Sequence, residues 1–189
     1  MSDGLPAAVA DARRGAAEAG FAQSSEDAVG RLLSAFAAAV PEGGRILELG
    51  TGVGVGLAWL VDGVGGRRDV EVISVDLDAS VQDVARRASW PGNVRFVVGD
   101  GAREVGAHGP LDLLFADAPG GKLEGLERSI AALRPRGVLL VDDMDPARHD
   151  DAELVRSLAD VRRRLLADPR LHSVELDTGS GVIVSVRRP

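Results

Sequence analysis

Short apolar runs alternate with stretches of helical periodicity over most of the chain. The runs are rich in Val, Ile and Leu, and they predict five strands, at 45–49, 70–75, 94–98, 111–116 and 137–141. Apolar residues at helical spacing predict helices between and after them, over 55–64, 79–88, 121–133 and 151–166. Nearly continuous apolar strands are typical of a parallel sheet with helices on both faces. The pattern therefore predicts a doubly wound α/β fold.

The two ends of the chain depart from this alternation. Residues 1–23, rich in Ala, Gly and charge, predict an N-terminal arm or a short helix. Ser24 and Asp27 have the spacing of a capping box and predict that a further helix begins at Ser24. At the other end, 172–176 and 182–186 flank a polar loop, and we expect them to form an antiparallel hairpin.

Length and composition restrict the classes of protein to which this chain can belong. The chain has 189 residues, of which 45% are hydrophobic and 27% charged, as in an ordinary folded protein, and we expect a single domain over 24–189. Its formal net charge is −7, from 22 basic and 29 acidic residues, and this charge repels nucleic acid and anionic membranes. The sequence shows no secretory leader and no apolar run of about 18 residues. We therefore expect a cytoplasmic protein with neither nucleic acid nor membrane as a partner.

The types of metal site are restricted as well. The sequence contains no cysteine, which excludes disulfides, thiolate nucleophiles and cysteine-based metal centres. His108, His149 and His172 are scattered and lack the spacing of a zinc site. A metal site in this chain would have to be built mainly from oxygen ligands, which suit Mg²⁺ or Ca²⁺.

The first predicted strand runs into a glycine-rich turn. Four glycines stand at alternating positions of this turn, Gly50, Gly52, Gly54 and Gly56. Glycine permits positive φ and close backbone approach, and the following helix offers unpaired N–H groups, so we expect a ligand here. The dinucleotide fingerprint would require glycine in place of Val55, and Glu48 suits an amino group better than a pyrophosphate. A nicotinamide dinucleotide is therefore the less favoured ligand.

Two further carboxylates are predicted at the same edge of the sheet. Asp76 ends the second strand, where it can accept hydrogen bonds from two ribose hydroxyls, and Asp100 follows the third strand. A ligand with an amine, a ribose and an adenine would use Glu48, Asp76 and Asp100 together. S-adenosylmethionine is such a ligand. It carries no phosphate, and no Lys or Arg accompanies the glycines of the turn.

Over residues 24–189, this series of motifs resembles the class I S-adenosylmethionine-dependent methyltransferases. The segment Glu48-x-Gly50-x-Gly52-x-Gly54 matches their first motif, Asp76 their ribose-binding acid, and Gly99-Asp100 their adenine-site motif. The resemblance implies a Rossmann-like sheet of seven strands, mostly parallel, with an antiparallel strand from the C-terminal hairpin. The cofactor-binding residues that it implies are Glu48, Gly50, Thr51, Gly52, Gly54, Asp76, Leu77, Asp100, Gly101 and Asp117.

Three aspartates follow the fourth and fifth predicted strands. Asp117 comes after the fourth strand, and Asp142 and Asp143 come directly after the fifth. If the two strands are neighbours, the three carboxylates meet and must share a proton or a cation. A divalent ion there would lower the pKa of an acceptor hydroxyl. The alternative is that these aspartates only cap loops and helices and bind no metal.

This arrangement resembles the catechol-type, metal-dependent branch of O-methyltransferases. In that branch an Asp after strand four and an Asp-Asn pair after strand five hold the ion, and Asp143 replaces the Asn here. The resemblance implies that Asp117, Asp142 and Asp143 hold the metal.

The general base is the sharper departure from that branch. The branch has its lysine at the position of Gly120, whereas the nearest lysine of this chain is Lys122. A flexible glycine pair lets Lys122 swing into the site, or else it stays solvated at the start of a helix. His149 lies in a loop expected over the pocket and is a further candidate base. The candidate catalytic residues are Asp117, Lys122 and His149.

The main interpretation is transfer of a methyl group from S-adenosylmethionine to a hydroxyl of a small, catechol-like molecule, assisted by a divalent metal. Two alternatives stay open: a metal-independent methyltransferase of small molecules, and a protein that binds S-adenosylmethionine without turnover. The missing lysine at position 120 and the short N-terminal segment favour the silent binder. The resemblance also implies a homodimer.

Overall fold

The fold is built on a seven-stranded sheet. The computed structural model describes residues 4–189 of the chain. Its strands are β1 (Arg45–Leu49), β2 (Glu71–Asp76), β3 (Val94–Val98), β4 (Leu111–Ala116), β5 (Leu133–Val141), β6 (Leu171–Leu176) and β7 (Val182–Arg187). Its helices are α1 (Ala7–Glu18), α2 (Asp27–Ala38), α3 (Val55–Val64), α4 (Ala79–Arg86), α5 (Gly101–Ala107), α6 (Pro119–Lys122), α7 (Leu126–Ala132) and α8 (Ala152–Ala167), with a 3₁₀ turn at Pro146–Arg148.

The strands lie in the order β3-β2-β1-β4-β5-β7-β6. β1 to β5 pair in parallel, and β7 is antiparallel to both β5 and β6. The predicted fold class, a mostly parallel Rossmann-like sheet that ends in an antiparallel hairpin, is therefore confirmed.

Helices cover both faces of the sheet, because the strands bury side chains on each face. On one face Leu33 of α2 and Trp59 of α3 belong to the same core as Ile46. On the other face Leu158 of α8 belongs to the same core as Leu47, the next residue of β1. Burying one such side chain fully contributes roughly 1.5–3 kcal/mol. Among residues 4–189, no helix combines the length and the apolar character needed to cross a membrane.

The order of the strands positions the functional site. β1 lies between β2 and β4. From β1 the chain adds β2 and β3 on one side, and it then returns to add β4 and β5 on the other side. In an open parallel sheet such a reversal leaves a crevice at the carboxyl ends of the strands, where ligands bind. The glycine turn after β1 and the loops after β2, β4 and β5 all begin at this edge.

The prediction of one continuous helix over 121–133 is wrong. Gly121 has a φ of 101° and Gly125 a φ of 84°, values that favour glycine and interrupt a right-handed helix. The segment forms α6 and α7 instead, and Leu133 already pairs with Leu111 at the start of β5. Helix α5 was not predicted, because its seven residues are too few to show a clear apolar period.

The start of α2 also differs from the capping-box prediction. α2 begins at Asp27, its N-cap is Glu26, and no side chain caps it. Ser24 lies ahead of the helix and lines the cavity described below. In the N-terminal segment the structure forms α1, which an ion pair of 2.6 Å between Arg13 Nη2 and Asp27 Oδ1 joins to α2. Of the two alternatives stated for residues 1–23, an arm or a short helix, the described part of this segment contains a helix.

Candidate active site

A cavity of about 850 Å³ opens at the carboxyl edge of the sheet. Its walls come from the glycine turn after β1, the ends of β2, β4 and β5, the loop between β6 and β7, and the segment 21–26 that links α1 to α2. Elements that are distant in sequence thus meet around one space. The volume is within the range of small-molecule sites in proteins.

The glycine turn takes a backbone path that only glycine adopts easily. Gly50, Gly52 and Gly54 have φ values of 104°, 52° and 92°. The N–H groups of Gly50 and Thr51 donate to the carbonyl of Val75, at 2.8 and 3.2 Å, which ties the turn to β2. Gly50 and Gly52 therefore line the cavity with backbone alone.

Asp76 connects the glycine turn to the end of β2. Its Oδ2 accepts a hydrogen bond of 2.7 Å from the N–H of Gly52, and its Oδ1 accepts one of 2.9 Å from the N–H of Asp78. Each carboxylate oxygen keeps a further acceptor position, and Asp76 lines the cavity. The side chain is thus held in place and can still bind two hydroxyls. Leu77, the next residue, is 77% exposed and stands outside the cavity wall.

Glu48 lies beneath the glycine turn and is fully buried. Its Oε2 accepts a hydrogen bond from Ser74 Oγ, which also contacts Thr51 Oγ1 at 2.6 Å. Its other oxygen, Oε1, has no hydrogen-bond partner within residues 4–189. Burial raises the pKa of the Glu48 carboxyl well above its ordinary value, and the bond from Ser74 offsets this only in part. A buried acceptor without a partner is costly, so Glu48 is prepared to receive a donor.

Asp100 and Gly101 lie apart from this group. The side chain of Asp100 caps α5 by accepting a hydrogen bond of 2.9 Å from the N–H of Ala102. Gly101 packs against the carbonyl of Gly120. Neither residue is part of the cavity wall, whereas most of the other predicted positions are in it or directly beneath it.

The three aspartates predicted to meet do meet. Asp117, Asp142 and Asp143, the acidic cluster, each offer a carboxylate oxygen within 4.8 Å of the others. Burial, and next the charge of Asp142, raises the pKa of Asp117 well above its ordinary value. Burial also raises the pKa of Asp142, against hydrogen bonds from Ser180 and the Asp143 backbone. Such a concentration of negative charge favours a bound cation.

Lys122 lies inside the cavity, so the solvated alternative is wrong. Its residue exposure is 5%, and Nζ donates to the carbonyl of Asp142 at 3.0 Å and to Asp143 Oδ2 at 3.4 Å. The positive φ of Gly121 turns the chain so that the next side chain points to the acidic cluster. His149 lines the same cavity, and its Nε2 lies 3.0 Å from the carbonyl of Asp143.

The sequence of this chain is similar to methyltransferases over nearly its whole length. The family described as a methyltransferase domain matches residues 47–144. A protein of Mycobacterium sp. (strain JLS), named as an O-methyltransferase, is 32% identical over 196 residues, covering 96% of this chain and 86% of the relative. The chain belongs to the S-adenosylmethionine-dependent O-methyltransferase family. A second relative, from Mycobacteroides abscessus, is also named as an O-methyltransferase. It is 33% identical, and the matched region covers 95% of this chain and 87% of the relative.

Solved structures of O-methyltransferases share the fold. The O-methyltransferase of Bacillus cereus, solved in complex with S-adenosylhomocysteine, superposes with a TM-score of 0.79 at 21% identity, covering 100% of this chain and 94% of that one. The tomaymycin-synthesis O-methyltransferase of Streptomyces achromogenes, solved with S-adenosylmethionine, gives 0.82 at 20% identity, covering 98% and 92%. At these identities the likeness is one of fold.

Sequence reasoning missed several cavity residues of this methyltransferase. The side chain of Ser25 opposes the rise in the pKa of the Asp117 carboxyl, and Arg148 forms an ion pair with Glu26; all four residues line the cavity. A Cβ placed on Gly52 would lie 3.3 Å from the ring of Phe21, so that ring covers the glycine turn. These contacts join segments far apart in sequence, and no periodicity or motif marks them. The N-terminal segment, although short, therefore forms a wall of the site.

Proposed function

We propose that the protein transfers the methyl group of S-adenosylmethionine to a hydroxyl oxygen of a small, catechol-like molecule, with Mg²⁺ or Ca²⁺ in the acidic cluster. One observation carries the proposal: the glycine turn, Asp76 and the acidic cluster open into the same cavity. The family to which the chain belongs supports the reaction. The names of its relatives support oxygen as the acceptor atom.

The residues present fit the cofactor. A Cβ at Gly56 would lie 2.5 Å from Glu48 Oε1 and 3.2 Å from both Ser25 Oγ and Phe115 Cε1, so only glycine lets α3 pack this closely on the Glu48 carboxyl. The unpartnered Oε1 of Glu48 suits an amino group, and the turn and Asp76 suit the methionine and ribose portions of S-adenosylmethionine. The cofactor-binding residues proposed from sequence are retained, with Leu77, Asp100 and Gly101 the least supported because they lie outside the cavity wall.

The acidic cluster fits a hard divalent cation. Three carboxylates supply oxygen ligands only, which Mg²⁺ and Ca²⁺ prefer. Asp143 has a φ of 59°, an uncommon value for a residue other than glycine, and its N–H donates to Asp142 Oδ1 at 2.8 Å. The backbone after β5 thus holds both aspartates toward Asp117.

The chain's own residues divide the chemical tasks. When bound, S-adenosylmethionine supplies an electrophilic methyl group, and a divalent ion supplies positive charge beside the acceptor hydroxyl. Asp117 is the member of the acidic cluster that lies beside Gly50 of the glycine turn, and it would orient both partners. Methyl transfer would leave S-adenosylhomocysteine as the second product, and the hydroxyl proton of the acceptor would pass to a base of this chain. Lys122 and His149 are the candidate bases because both line the cavity beside Asp143.

A second candidate is the same transfer without a metal ion. It is favoured by Lys122, whose ammonium group already contacts Asp143 and supplies positive charge at the site. The presence of this amine also weakens the argument for a silent binder, which rested in part on the missing lysine at position 120.

The test is methyl transfer by the purified chain to a panel of catechols, with Mg²⁺ or with EDTA, read as methylated product. We expect product from the wild type with Mg²⁺, at least tenfold less in Asp142→Asn, and none above background in Asp76→Ala. Asp160→Asn, at a partly exposed acid of α8 that does not line the cavity, is the matched control. Equal rates with EDTA would select the metal-free candidate, and cofactor binding without any product would select the silent binder.

We propose further that the protein acts in the cytoplasm and that it is a homodimer, the second of which the resemblance implies. Light scattering of the purified chain gives the subunit number. A monomeric mass with full methyl transfer would contradict the dimer and leave the chemistry intact.

A further inference from the structure

Lys122 stands out among the basic residues of this chain. The sequence has 22 basic residues, and Lys122 is its single lysine. Lysine is rarely buried without a partner, because its ammonium group is strongly hydrated. Here the side chain is 6% exposed, and within residues 4–189 its only ion pair is with Asp143 of the acidic cluster.

The backbone fixes the lysine in this position. A Cβ on Gly120 would lie 2.9 Å from the N–H nitrogen of Ala102, and one on Gly121 would lie 2.3 Å from Leu49 Cδ1. The carbonyl of Gly121 accepts a hydrogen bond of 2.7 Å from Ser129 Oγ. No side chain fits at 120 or 121 without movement, so 122 is the first position after Pro119 from which this loop can present a side chain to the cluster.

We infer that Lys122 is the resident cation of the acidic cluster, and that a divalent ion binds there only by displacing the lysine ammonium from Asp143. The inference deepens the proposed function, on which it rests, by naming what regulates the metal site. The ammonium lies 3.4 Å from Oδ2 of Asp143, and the carboxylate of this residue is one of the three that the ion would use. It also bonds at 3.0 Å to the carbonyl of Asp142, so a second cation would meet like charge at contact range.

Three carboxylates and one ammonium leave the cluster partly neutralised. The positive charge lies inside the cavity, where solvent screens it less than at the surface. The chain therefore has a weak divalent site whose strength is set by one side chain. Replacing the ammonium with an apolar group of similar length should turn it into a stronger site.

The test is calorimetric titration of the full chain with MgCl₂, on the wild type, Lys122→Met and Arg163→Met. Arg163 is an exposed residue of α8, and its replacement removes one positive charge as Lys122→Met does. We expect Mg²⁺ to bind Lys122→Met at least about tenfold more tightly than the wild type, and Arg163→Met to match the wild type. An equal or weaker affinity of Lys122→Met would overturn the inference.

The single lysine permits a second measurement that needs no variant. Acylation of Lys122 by an amine-reactive reagent, read by mass spectrometry against the N-terminal amine, reports whether the side chain is held in the cluster. We expect protection with EDTA and faster acylation with saturating Mg²⁺. The same rate in both conditions would contradict displacement.

Failure of the inference can be told apart from failure of the proposed function. Titration with S-adenosylhomocysteine is run on each variant, and methyl transfer on the wild type. Intact cofactor binding with an unchanged Mg²⁺ affinity in Lys122→Met overturns only the role of the lysine. Absence of cofactor binding in the wild type overturns the proposed function itself.

Discussion

At the scale of single residues, Gly56 matters because any side chain at this position would collide with the Glu48 carboxyl. A Cβ there would lie 2.5 Å from Glu48 Oε1 and 3.2 Å from Ser25 Oγ and Phe115 Cε1. Glu48 is fully buried, and its Oε1 lacks a partner within the described residues 4–189. A donor group beside Oε1 would satisfy an otherwise costly acceptor. The amino group of a methionine moiety is such a donor.

Gly56→Ala should therefore weaken only ligands that carry the amino acid. We expect S-adenosylhomocysteine to bind about tenfold or more weakly, because the loss of a charged hydrogen bond costs roughly 1.5–3 kcal/mol. Binding of 5′-methylthioadenosine, which has the nucleoside but no amino acid, should change by less than about twofold. Calorimetric titration measures both affinities. Gly106→Ala is the matched control, since a Cβ there meets no atom within 4 Å. An equal loss of affinity for both ligands would show that Gly56 is needed for the conformation of the turn and not for binding of the amino group.

At the scale of elements, strand ends were predictable and loop contacts were not. The strands are buried on two faces, so their apolar runs stand out, and the acids at their ends, Asp76, Asp117 and Asp142, could be placed at one edge. Lys122 could not be placed, because its position depends on the positive φ of Gly121. Ser180 was also missed: it reaches Asp142 from the hairpin loop, across 38 positions of sequence. Such contacts arise from tertiary packing and leave no local pattern.

The hairpin loop between β6 and β7 should influence the Mg²⁺ affinity of the acidic cluster through Ser180. Its hydroxyl donates to Asp142 Oδ1, and the N–H of Asp145 donates to the Ser180 carbonyl at 2.9 Å. We expect Ser180→Ala to lower Mg²⁺ affinity by roughly tenfold, as removal of a residue that orients a ligand commonly does. Calorimetric titration measures the affinity, most clearly in the Lys122→Met background.

The matched control for the hairpin is Ser157→Ala, which removes an exposed hydroxyl of α8 that bonds to the Glu153 carbonyl at 3.0 Å. Its Mg²⁺ affinity should equal that of the parent. A Ser180→Ala variant that binds Mg²⁺ as tightly as the parent would mean that the backbone after β5 orients Asp142 without help.

At the scale of the whole molecule, the fold concentrates buried acids at one edge of the sheet. Glu48, Asp117 and Asp142 come from β1 and from the ends of β4 and β5, which are neighbours in the sheet. Burial raises the pKa of all three carboxyls. The folded chain therefore binds protons that the unfolded chain releases, and the site costs more stability as these groups ionise. A ligand or cation that compensates the charge should restore stability.

The stability of the metal-free chain should consequently fall as pH rises from its acid range. For Glu48 the folded pKa lies above the ordinary value of 4.5, so its stabilising contribution is complete below that pH and is lost as pH rises through the folded value. Over the pH range in which a carboxyl is protonated only in the folded state, each unit of rising pH lowers the free energy of unfolding by about 1.4 kcal/mol. Glu48→Gln, which cannot ionise, should show a stability curve whose fall above pH 4.5 is less steep by about that amount. Urea unfolding with EDTA measures it, with Glu42→Gln at an exposed position as control. Parallel curves for the wild type and Glu48→Gln would mean that Glu48 ionises alike in both states.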